Sequence, residues 1–494
     1  MFESAELGHK LDKATYEQEL PKLREALLTA QFALRDKGDF PVLLLFSGVN
    51  AGGRGETVNA LLGWLDPRSV KTRAFRAATA DERALPRLMR YFKDLPRKGQ
   101  IGISFGAWYT DPIMDGIHGR IDEAQLGHRL RDIAAFERML FNDGALILKF
   151  WLHLRKKDQR RRLKQLENNP LTRFRVTEDD WNMHERYGDL LRRVEHAMRV
   201  TSTVEAPWFV VEGKDRRYRE LSIGKIVAEQ IDRRLKHKGP SQTLAPPASP
   251  LFPQLDGLNL LSQVDLDQAL PKKQYSTELK RLQAELSLLS REPKFRKGRS
   301  VIALFEGPDA AGKGGAIRRI SRALDARLYD VVPIAAPNDE ERAHHYLWRF
   351  ARHLPLRGRF TVFDRSWYGR VLVERVEGFC SEDAWKRAYS EINAFEAQLI
   401  ESQVILVKFW LAISQDKQLE RFRDRERTPF KRHKITPEDY RNRSKWDAYQ
   451  TAASEMFDRT STRAAPWTLV AANDKYFARV EVLRTLVRVI EQAL

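Results

Sequence analysis

A glycine-rich segment in the second half of the chain has the spacing of a phosphate-binding loop. It reads GPDAAGKGG over residues 307–315, and Gly312 and Gly314 flank Lys313. Glycines allow backbone N–H groups to converge on phosphate oxygens, and the lysine adds a full positive charge. The apolar run Val301–Phe305 precedes the loop directly, as a buried strand would. The segment therefore predicts a phosphate-binding site.

Two aspartates are candidate metal ligands. In ordinary nucleotide-hydrolysing loops a Ser or Thr hydroxyl follows the lysine and helps to hold Mg²⁺, but here that residue is glycine. A metal would then have to rely on carboxylates, and Asp309 within the loop is the nearest. Asp364 ends a second apolar run, and a carboxylate at the carboxyl end of a strand beside a phosphate loop suits Mg²⁺. We predict that Asp309 and Asp364 hold this ion.

Basic side chains that could clamp phosphates follow Asp364 directly. Arg365 and Arg370 lie in the segment FDRSWYGR, and guanidinium groups can bind phosphate through two hydrogen bonds. The alternative interpretation is an Asp–Arg salt bridge that closes the end of the strand.

A third cluster, residues 421–434, contains many cations interrupted by Pro429. Such a stretch is often a solvated helix face. Its position after a third apolar run also fits a mobile lid that closes over phosphates and excludes water. The candidate phosphate ligands in this cluster are Arg421, Arg425, Lys431 and Lys434.

The composition fits a large folded enzyme with a polyanionic partner. The chain has 494 residues, with 86 Lys and Arg against 67 Asp and Glu, a net charge of +19. Such a surplus indicates a polyanion without saying which one. The single Cys380 excludes a disulfide framework and a cysteine-based zinc site. Because we find neither a signal peptide nor an apolar run of the ~20 residues that a bilayer requires, we expect a cytoplasmic protein with no membrane partner.

The chain contains two copies of one domain. Tyr16 recurs as Tyr275, an offset of 275 − 16 = 259, and the same offset relates the segments WY, KFWL, TST and APW of the two halves. A single offset shared by such different segments is not expected by chance. We predict a first copy at 1–235, a Pro- and Ser-rich linker at 236–268 and a second copy at 269–494. Within the linker, Leu258, Leu260 and Leu261 are candidates for docking on a surface.

The elements that position these residues alternate between helices and buried strands. In the second copy, leucines at 279, 282, 286 and 289 predict a helix with one apolar face. Apolar runs at 301–305, 360–363 and 404–409 predict buried parallel strands, and a further helix is predicted over 315–326. This alternation indicates an α/β domain with a parallel sheet.

The segments FEGPDAAGKGG, FDRSWYGR, RFRDRERTPFKRHKITPEDY and TSTRAAPWTLVAANDK together resemble the polyphosphate kinase 2 family. The duplication resembles its two-domain branch, which transfers a phosphoryl group from inorganic polyphosphate to AMP to give ADP. The resemblance implies two tandem P-loop kinase-like, three-layer α/β/α domains with helical lids, and dependence on Mg²⁺. It implies catalytic roles for Asp309, Lys313, Asp364 and Arg365, and phosphate binding by Gly312, Gly314, Arg370 and the four lid cations.

The first copy lacks the residues to which these catalytic roles are assigned. The position of Asp309 is occupied by Asn50, and that of Lys313 by Arg54. The pair Asp364-Arg365 is replaced by Phe105-Gly106. Since Asn and Phe cannot replace two magnesium carboxylates, we expect this copy to be catalytically inactive. Whether it binds a phosphate chain or acts as a scaffold stays open at this stage.

Other functions compete with this interpretation. A polyphosphate-dependent kinase of nucleoside diphosphates and an ATP-dependent P-loop nucleotide kinase would use similar residues. A basic nucleic-acid-binding protein with a vestigial loop would also be basic, but no recognition helix or zinc finger supports it. We therefore expect polyphosphate and AMP or ADP as partners and no nucleic acid. The sequence leaves open the preferred purine, the chain length of the polyphosphate and the formation of a homo-oligomer.

Overall fold

The computed structural model describes residues 1–236 and 260–494. Most of the predicted linker, including Leu258, lies outside the described residues. Each copy contains a five-stranded sheet whose strands are all parallel. Helices flank both sheets, so the predicted α/β fold class with two tandem parallel-sheet domains is confirmed.

The first sheet has the strand order β2-β3-β1-β4-β5. Its strands are β1 (Val42–Gly48), β2 (Val70–Ala74), β3 (Ile101–Phe105), β4 (Leu146–His153) and β5 (Trp208–Glu212). The α-helices of this copy are α1 (Lys13–Lys37), α2 (Arg54–Trp64), α3 (Ala80–Arg83), α4 (Met89–Lys93), α5 (Thr110–Ile117), α6 (Glu123–Asn142), α7 (Lys156–Asn168), α8 (Glu178–Glu185), α9 (Tyr187–Thr201) and α10 (Arg216–Lys236).

The second sheet repeats this topology as β10-β9-β6-β8-β7. Its strands are β6 (Ser300–Glu306), β7 (Tyr329–Pro333), β8 (Phe360–Asp364), β9 (Val404–Ala412) and β10 (Trp467–Ala471). The α-helices are α11 (Lys272–Leu289), α12 (Pro293–Gly298), α13 (Lys313–Ser321), α14 (Asp339–Arg342), α15 (Trp348–Ala351), α16 (Val373–Val376), α17 (Glu382–Glu401), α18 (Gln415–Arg427), α19 (Pro437–Ser444), α20 (Trp446–Thr460) and α21 (Lys475–Ala493).

The chain divides into two compact units, one around each sheet. The first unit also includes Asp339–His345, and the second includes Ala80–Met89. Among the described helices, none has the length and apolar character needed to cross a membrane.

The core of the second unit explains why its central strand is apolar between its first residue, Ser300, and its last, Glu306. Alternate residues Val301, Ala303 and Phe305 of β6 are buried together with residues of α11, α13 and α21, which form one helical layer. Strand β6 pairs with β8 on one side and with β9 on the other. The connection from β6 leads to β7 on one side, and the connection from β8 crosses to β9 on the other. The strand order therefore changes direction beside β6, which opens a crevice at the carboxyl ends of these strands.

The predicted helices and strands agree with the structure except at three places. The helix expected over 315–326 begins at Lys313 and ends at Ser321, where turns such as Leu324 N–H to Ser321 O replace the helical pattern. Strands β7 and β10 were not predicted. Strand β7 lies at the edge of the sheet, is partly exposed and ends in Pro333, so it lacks the apolar run of a central strand.

A buried polar network explains the segments that the two copies share. In the second copy, Lys408 Nζ donates to Glu396 Oε2 at 2.8 Å, to Tyr368 Oη at 2.9 Å and to the Thr460 carbonyl at 2.8 Å. Trp367 Nε1 donates to Glu396 as well, at 3.0 Å. Burial raises the pKa of Glu396 and lowers that of Lys408. The network satisfies these groups where water is excluded.

The first copy contains the same network at the equivalent positions. Lys149 Nζ lies 2.8 Å from Glu137 Oε2 and 2.7 Å from the Thr201 carbonyl, and Trp108 and Tyr109 also donate to Glu137. The repeated WY, KFW and TST segments are therefore structural, because they build the same buried network in both units.

We predict that Lys408→Met lowers the free energy of unfolding of the second unit by about 3–5 kcal/mol, because the Glu396 carboxylate stays buried without its counter-charge. The matched control is Lys417→Met, which breaks the more exposed Lys417–Glu420 pair and should cost no more than about 1 kcal/mol. Urea unfolding followed by circular dichroism measures both. Equal losses in the two variants would contradict the prediction.

Candidate active site

The phosphate loop connects β6 to α13. Gly307 has φ = 133° and Gly312 has φ = 108°, values that favour glycine. A Cβ at Gly307 would lie 2.5 Å from the backbone oxygen of Leu411, so no other residue fits there. Helix α13 begins at Lys313, directly after the loop. The free N–H groups of its first turn and its positive end therefore lie beside the loop, as anion binding requires.

Lys313 folds back over the loop. Its Nζ donates to the carbonyl of Gly307 at 2.6 Å and to that of Pro308 at 3.2 Å. Burial lowers the pKa of Lys313, and the nearby Asp309 carboxylate opposes this shift. The two carbonyl contacts hold the ammonium group at the loop, where it lines the same cleft as Asp364.

The Asp309 carboxylate joins three parts of the chain. Arg365 Nη2 donates to Oδ1 at 2.8 Å, and Asn442 Nδ2 donates to Oδ2 at 2.8 Å. Burial raises the pKa of Asp309, but Lys313 and Arg365 outweigh burial, so that this pKa is lowered overall. The carboxylate is therefore charged at neutral pH. Arg365 does form an Asp–Arg salt bridge, but with the loop aspartate and not with its neighbour Asp364.

Asp364 is the carboxylate most available to a metal. It lies at the carboxyl end of β8, and within the described parts of the chain its side chain has no hydrogen-bond or ion-pair partner. Proteins commonly hold Mg²⁺ with one or two carboxylates and complete its ligands with substrate phosphate and water. Asp364 and Asp309 fit such a set. Residues 1–236 and 260–494 contain no cluster of three or more His, Cys, Asp or Glu that could hold a metal.

Three clefts surround the loop. The phosphate cleft includes Asp309, Gly312, Lys313, Gly314, Asp364, Arg365, Arg425 and Asn442. The basic cleft includes Gly312, Arg318, Arg319, Arg421, Arg425, Lys431, Lys475 and Arg479. The apolar cleft includes Asp309, Arg365, Leu372, Val373, Trp410, Asn442, Trp446, Tyr449 and Gln450. The basic and apolar clefts share residues with the phosphate cleft but none with each other. The phosphate cleft is therefore the link between them.

The structure brings most of the predicted site residues together around the phosphate cleft. All four predicted catalytic residues line it, with the predicted phosphate ligands Gly312, Gly314 and Arg425. Lys431 lines the neighbouring basic cleft and lies 2.9 Å from Asp424. The proximity of these residues is a structural fact, whereas their catalytic and binding roles stay predictions.

Arg421 has a different environment from the other lid cations. Its guanidinium is buried and donates to the carbonyls of Ala310 and Ala311 in the loop and of Ala472 and Asn473 after β10, at 2.7–3.0 Å. These four contacts use its Nη1 and Nη2 groups. Although Arg421 lines the basic cleft, the geometry indicates that it holds the phosphate loop in place.

Arg370 does not line any of these three clefts. The Arg370 guanidinium lies over the ring of Tyr346, 4.5 Å from its centroid, and its Nε is 3.2 Å from Glu374. The side chain of Lys434 lies outside the described part of the structure. Phosphate binding by these two residues stays a prediction.

The comparisons with known proteins agree with this geometry. A family model described as polyphosphate kinase 2 matches residues 10–239 and 269–494. A polyphosphate:AMP phosphotransferase of Pseudomonas aeruginosa PAO1 is 52% identical over 493 residues, covering 100% of this chain and 99% of that protein. A polyphosphate:AMP phosphotransferase of Acinetobacter johnsonii is 38% identical, covering 94% of each chain. A crystal structure described as polyphosphate kinase 2 from Pseudomonas aeruginosa PA01 superposes with a TM-score of 0.89, at 49% identity over 100% of this chain and 99% of that one.

The chain belongs to the polyphosphate kinase 2 family.

Several residues of this family member's site were missed by reasoning from the sequence. Asn442 bonds to Asp309, Glu306 is buried at the end of β6, and Trp446 and Tyr449 line the apolar cleft. A comparison of the two copies could have indicated these residues, because residues that serve a reaction are expected to be replaced in an inactive copy. The equivalents of Glu306, Asn442, Trp446 and Tyr449 are Ser47, Met183, Tyr187 and Leu190.

We predict that Arg421→Lys lowers the free energy of unfolding by about 1.5–3 kcal/mol and also lowers turnover, because one ammonium group cannot replace four guanidinium–carbonyl contacts. The control is Arg423→Lys on the same helix, where the side chain is exposed and the change should stay within about 0.5 kcal/mol. Thermal unfolding and initial rates check both variants. An Arg421→Lys protein of unchanged stability would contradict the structural role.

Proposed function

We propose that this chain transfers a phosphoryl group from inorganic polyphosphate to AMP and forms ADP, that the reaction takes place in the second copy and that it depends on Mg²⁺. The observation that carries the proposal is the arrangement of the three clefts. A basic cleft and an apolar cleft each share a wall with the phosphate cleft, where Lys313, Asp364 and Arg365 lie.

The basic cleft suits a polyphosphate donor. It contains seven Arg or Lys side chains, and Asp424 is the acidic residue among those lining it. Unit charges 4 Å apart interact by ~4 kcal/mol at an effective dielectric constant of 20, so a few such contacts hold an anionic chain. The other residues lining this cleft are Gly and Ala, which offer no aromatic surface to a base. This favours a polyphosphate chain over ATP as the donor.

The apolar cleft suits the nucleoside of the acceptor. Trp446 and Tyr449 offer aromatic surfaces, and Leu372 adds an aliphatic one. Binding sites for small ligands combine such walls with a few polar groups that fix orientation. Arg365 lies where this cleft meets the phosphate cleft, so its guanidinium can bind the AMP phosphate.

In the proposed reaction an oxygen of the AMP phosphate attacks the terminal phosphorus of the chain. A new P–O bond forms to AMP, the bond to the next phosphate breaks, and the polyphosphate leaves one unit shorter. Because both reactants are anions, their approach is repulsive. Lys313 and Arg365 offset this repulsion and orient the phosphates. When bound to Asp364 and Asp309, Mg²⁺ would supply further positive charge there.

In the first copy, side chains of the phosphate loop contact other residues of the protein. Asn50 Nδ2 donates to Asp180 Oδ1 at 2.8 Å, and the Arg54 guanidinium lies over the ring of Phe105, 5.2 Å from its centroid. Phe105 stands where the second copy has the candidate metal ligand Asp364. These contacts support assigning the chemistry to the second copy.

The basic cleft of the second copy also has no equivalent in the first. Among the positions equivalent to its seven cations, only Arg162 and Arg216 are basic, and they pair with Glu56 at 2.6 Å and with Glu220 at 2.8 Å. Glu56 occupies the position of Gly315 and also binds the buried Arg219 at 2.8 Å. Glu56 and Glu220 thus already pair with the two basic residues that remain at these positions. We therefore favour a scaffold over polyphosphate binding for the first copy.

The N-terminal segment covers part of the first copy near the position of the apolar cleft. Phe2 is buried, stacks on the His153 ring at 4.9 Å and lies 6.4 Å from the ring of Trp151, the equivalent of Trp410. Glu6 Oε1 lies 2.9 Å from His153 Nε2. The second copy has Ala412 in place of His153. Phe2 and Glu6 thus occupy this region of the first copy, which also argues against catalysis there.

We predict that the purified chain forms ADP from AMP, Mg²⁺ and long-chain polyphosphate without ATP. Lys313→Ala should reduce this rate about 10²–10³-fold, because one preorganised charged contact is lost. The matched variant Arg54→Ala, at the equivalent position of the first copy, should keep most of the activity. Chromatography of the nucleotides measures the rates.

Three outcomes of this assay would contradict the proposal. Transfer from ATP but not from polyphosphate would favour an ATP-dependent kinase, and faster use of ADP than of AMP would favour a nucleoside diphosphate kinase. An Arg54→Ala variant as impaired as Lys313→Ala would place part of the chemistry in the first copy.

We predict that EDTA abolishes turnover and that added Mg²⁺ restores it. Asp364→Asn should lower turnover about 10²-fold and raise the Mg²⁺ concentration for half-maximal rate, because an amide is a poorer ligand than a carboxylate. Asp424→Asn, in the basic cleft, should leave the Mg²⁺ requirement unchanged. A Mg²⁺ titration of initial rates measures these effects, and an unchanged requirement in Asp364→Asn would rule out this residue as a ligand.

A further inference from the structure

Arg365 has a backbone conformation that is unusual for a residue other than glycine. Its φ is 66°, in the left-handed region where a Cβ is sterically unfavourable. Such a conformation persists only when the surroundings enforce it, and it is common at functional sites. In this position the Arg365 guanidinium reaches Asp309 at 2.8 Å and lies on the wall shared by the apolar and phosphate clefts.

Strand β6 supplies the contacts that hold this turn. The Arg365 N–H donates to the Phe305 carbonyl at 3.0 Å. The next residue, Ser366, donates to Glu306 Oε1 through its N–H at 2.7 Å and through its hydroxyl at 2.8 Å. Glu306 is buried, with 5% of its surface exposed, so water competes little for these bonds. The turn is therefore fixed on both sides of Arg365 by neighbouring residues of one strand.

The first copy makes the same turn without these contacts. Arg365 is replaced by Gly106, whose φ of 75° carries no steric penalty. Glu306 is replaced by Ser47 and Ser366 by Ala107, whose N–H donates to Thr110 Oγ1 instead. The buried carboxylate, its serine partner and the strained arginine are thus absent together in the copy that lacks the chemistry. Their joint loss indicates that the three residues serve one purpose.

We propose that Glu306 is a positioning residue for Arg365: it holds the Ser366 backbone so that the guanidinium stays between the apolar and phosphate clefts. The proposal rests on the proposed function, since it concerns the Arg365 contact to phosphate in that reaction. Glu306 also lines the apolar cleft, but the role proposed for it acts through its two hydrogen bonds to Ser366. Its removal should release the strain at Arg365 and let the guanidinium leave its position.

A double-mutant cycle tests this coupling in the full-length chain. Glu306→Ser, which introduces the residue of the first copy, should reduce kcat/KM for AMP about 10–100-fold, because small displacements of a positioning group are costly. Arg365→Gly should reduce it about 10²–10³-fold. In the Arg365→Gly background, Glu306→Ser should add less than about a 2-fold further loss, and each single variant should divide its loss between kcat and KM in the same way. Glu306→Gln keeps an oxygen acceptor and should recover most of the activity.

Two further measurements keep the test decisive. If Glu306→Ser does not fold, as judged by thermal unfolding, Ser366→Ala replaces it in the same cycle and should show a smaller loss that also disappears in the Arg365→Gly background. The affinity for tripolyphosphate, measured by calorimetry on the same variants, should show the same coupling without turnover.

The outcomes separate the two proposals. A wild-type chain that forms no ADP would end the proposed function, and the coupling would then be judged from tripolyphosphate affinity. Losses that multiply in the double variant would overturn the positioning role. A Glu306→Gln variant as impaired as Glu306→Ser would overturn it as well, because the acceptor oxygen would then not be what matters.

Discussion

The Asp309 carboxylate, bonded by Arg365 and Asn442, is the interaction on which the candidate site depends most. It joins the phosphate loop, the end of β8 and helix α19, which are distant in sequence. A group of cations would otherwise repel one another, and a carboxylate among them allows Lys313 and Arg365 to share one cleft. The same cations keep the Asp309 pKa below its usual range, so the charge that organises the site persists at neutral pH.

Comparison of the two copies distinguishes residues that both folds need from residues proposed to serve the reaction. Both units keep the buried Lys–Glu pair, Lys408 with Glu396 and Lys149 with Glu137, because loss of one partner would leave an unpaired buried charge. The residues around the phosphate loop changed instead. In the first unit Arg162 and Arg219 pair with Glu56, a carboxylate of the protein itself. The pairs that both copies keep belong to the buried network, and the copies differ around the loop where we propose the site.

Cations within residues 421–434 lie in two different environments. Arg421 uses its terminal nitrogens on four backbone carbonyls and fixes the loop against the end of β10. Arg425 and Lys431 line the clefts where a phosphate chain would lie. Sequence spacing placed all three in one cationic cluster, because spacing reports residue type and order but not which carbonyls a guanidinium meets. Similarly, Arg370 follows the strand-end aspartate closely in sequence, yet its side chain turns to Tyr346 and Glu374.

The sequence by itself determined the two copies, the parallel α/β fold, the phosphate loop and the replacement of the candidate site residues in the first copy. These follow from local patterns: apolar runs, glycine spacing and the repeat at one offset. It did not determine strand β7, the partners of Asp309, the apolar cleft or the contacts of Glu306 with Ser366. These depend on contacts between segments far apart in the chain, such as Asn442 with Asp309 and Ser366 with Glu306. Only the folded chain decides such contacts, because burial and distance exist only after the segments have packed together.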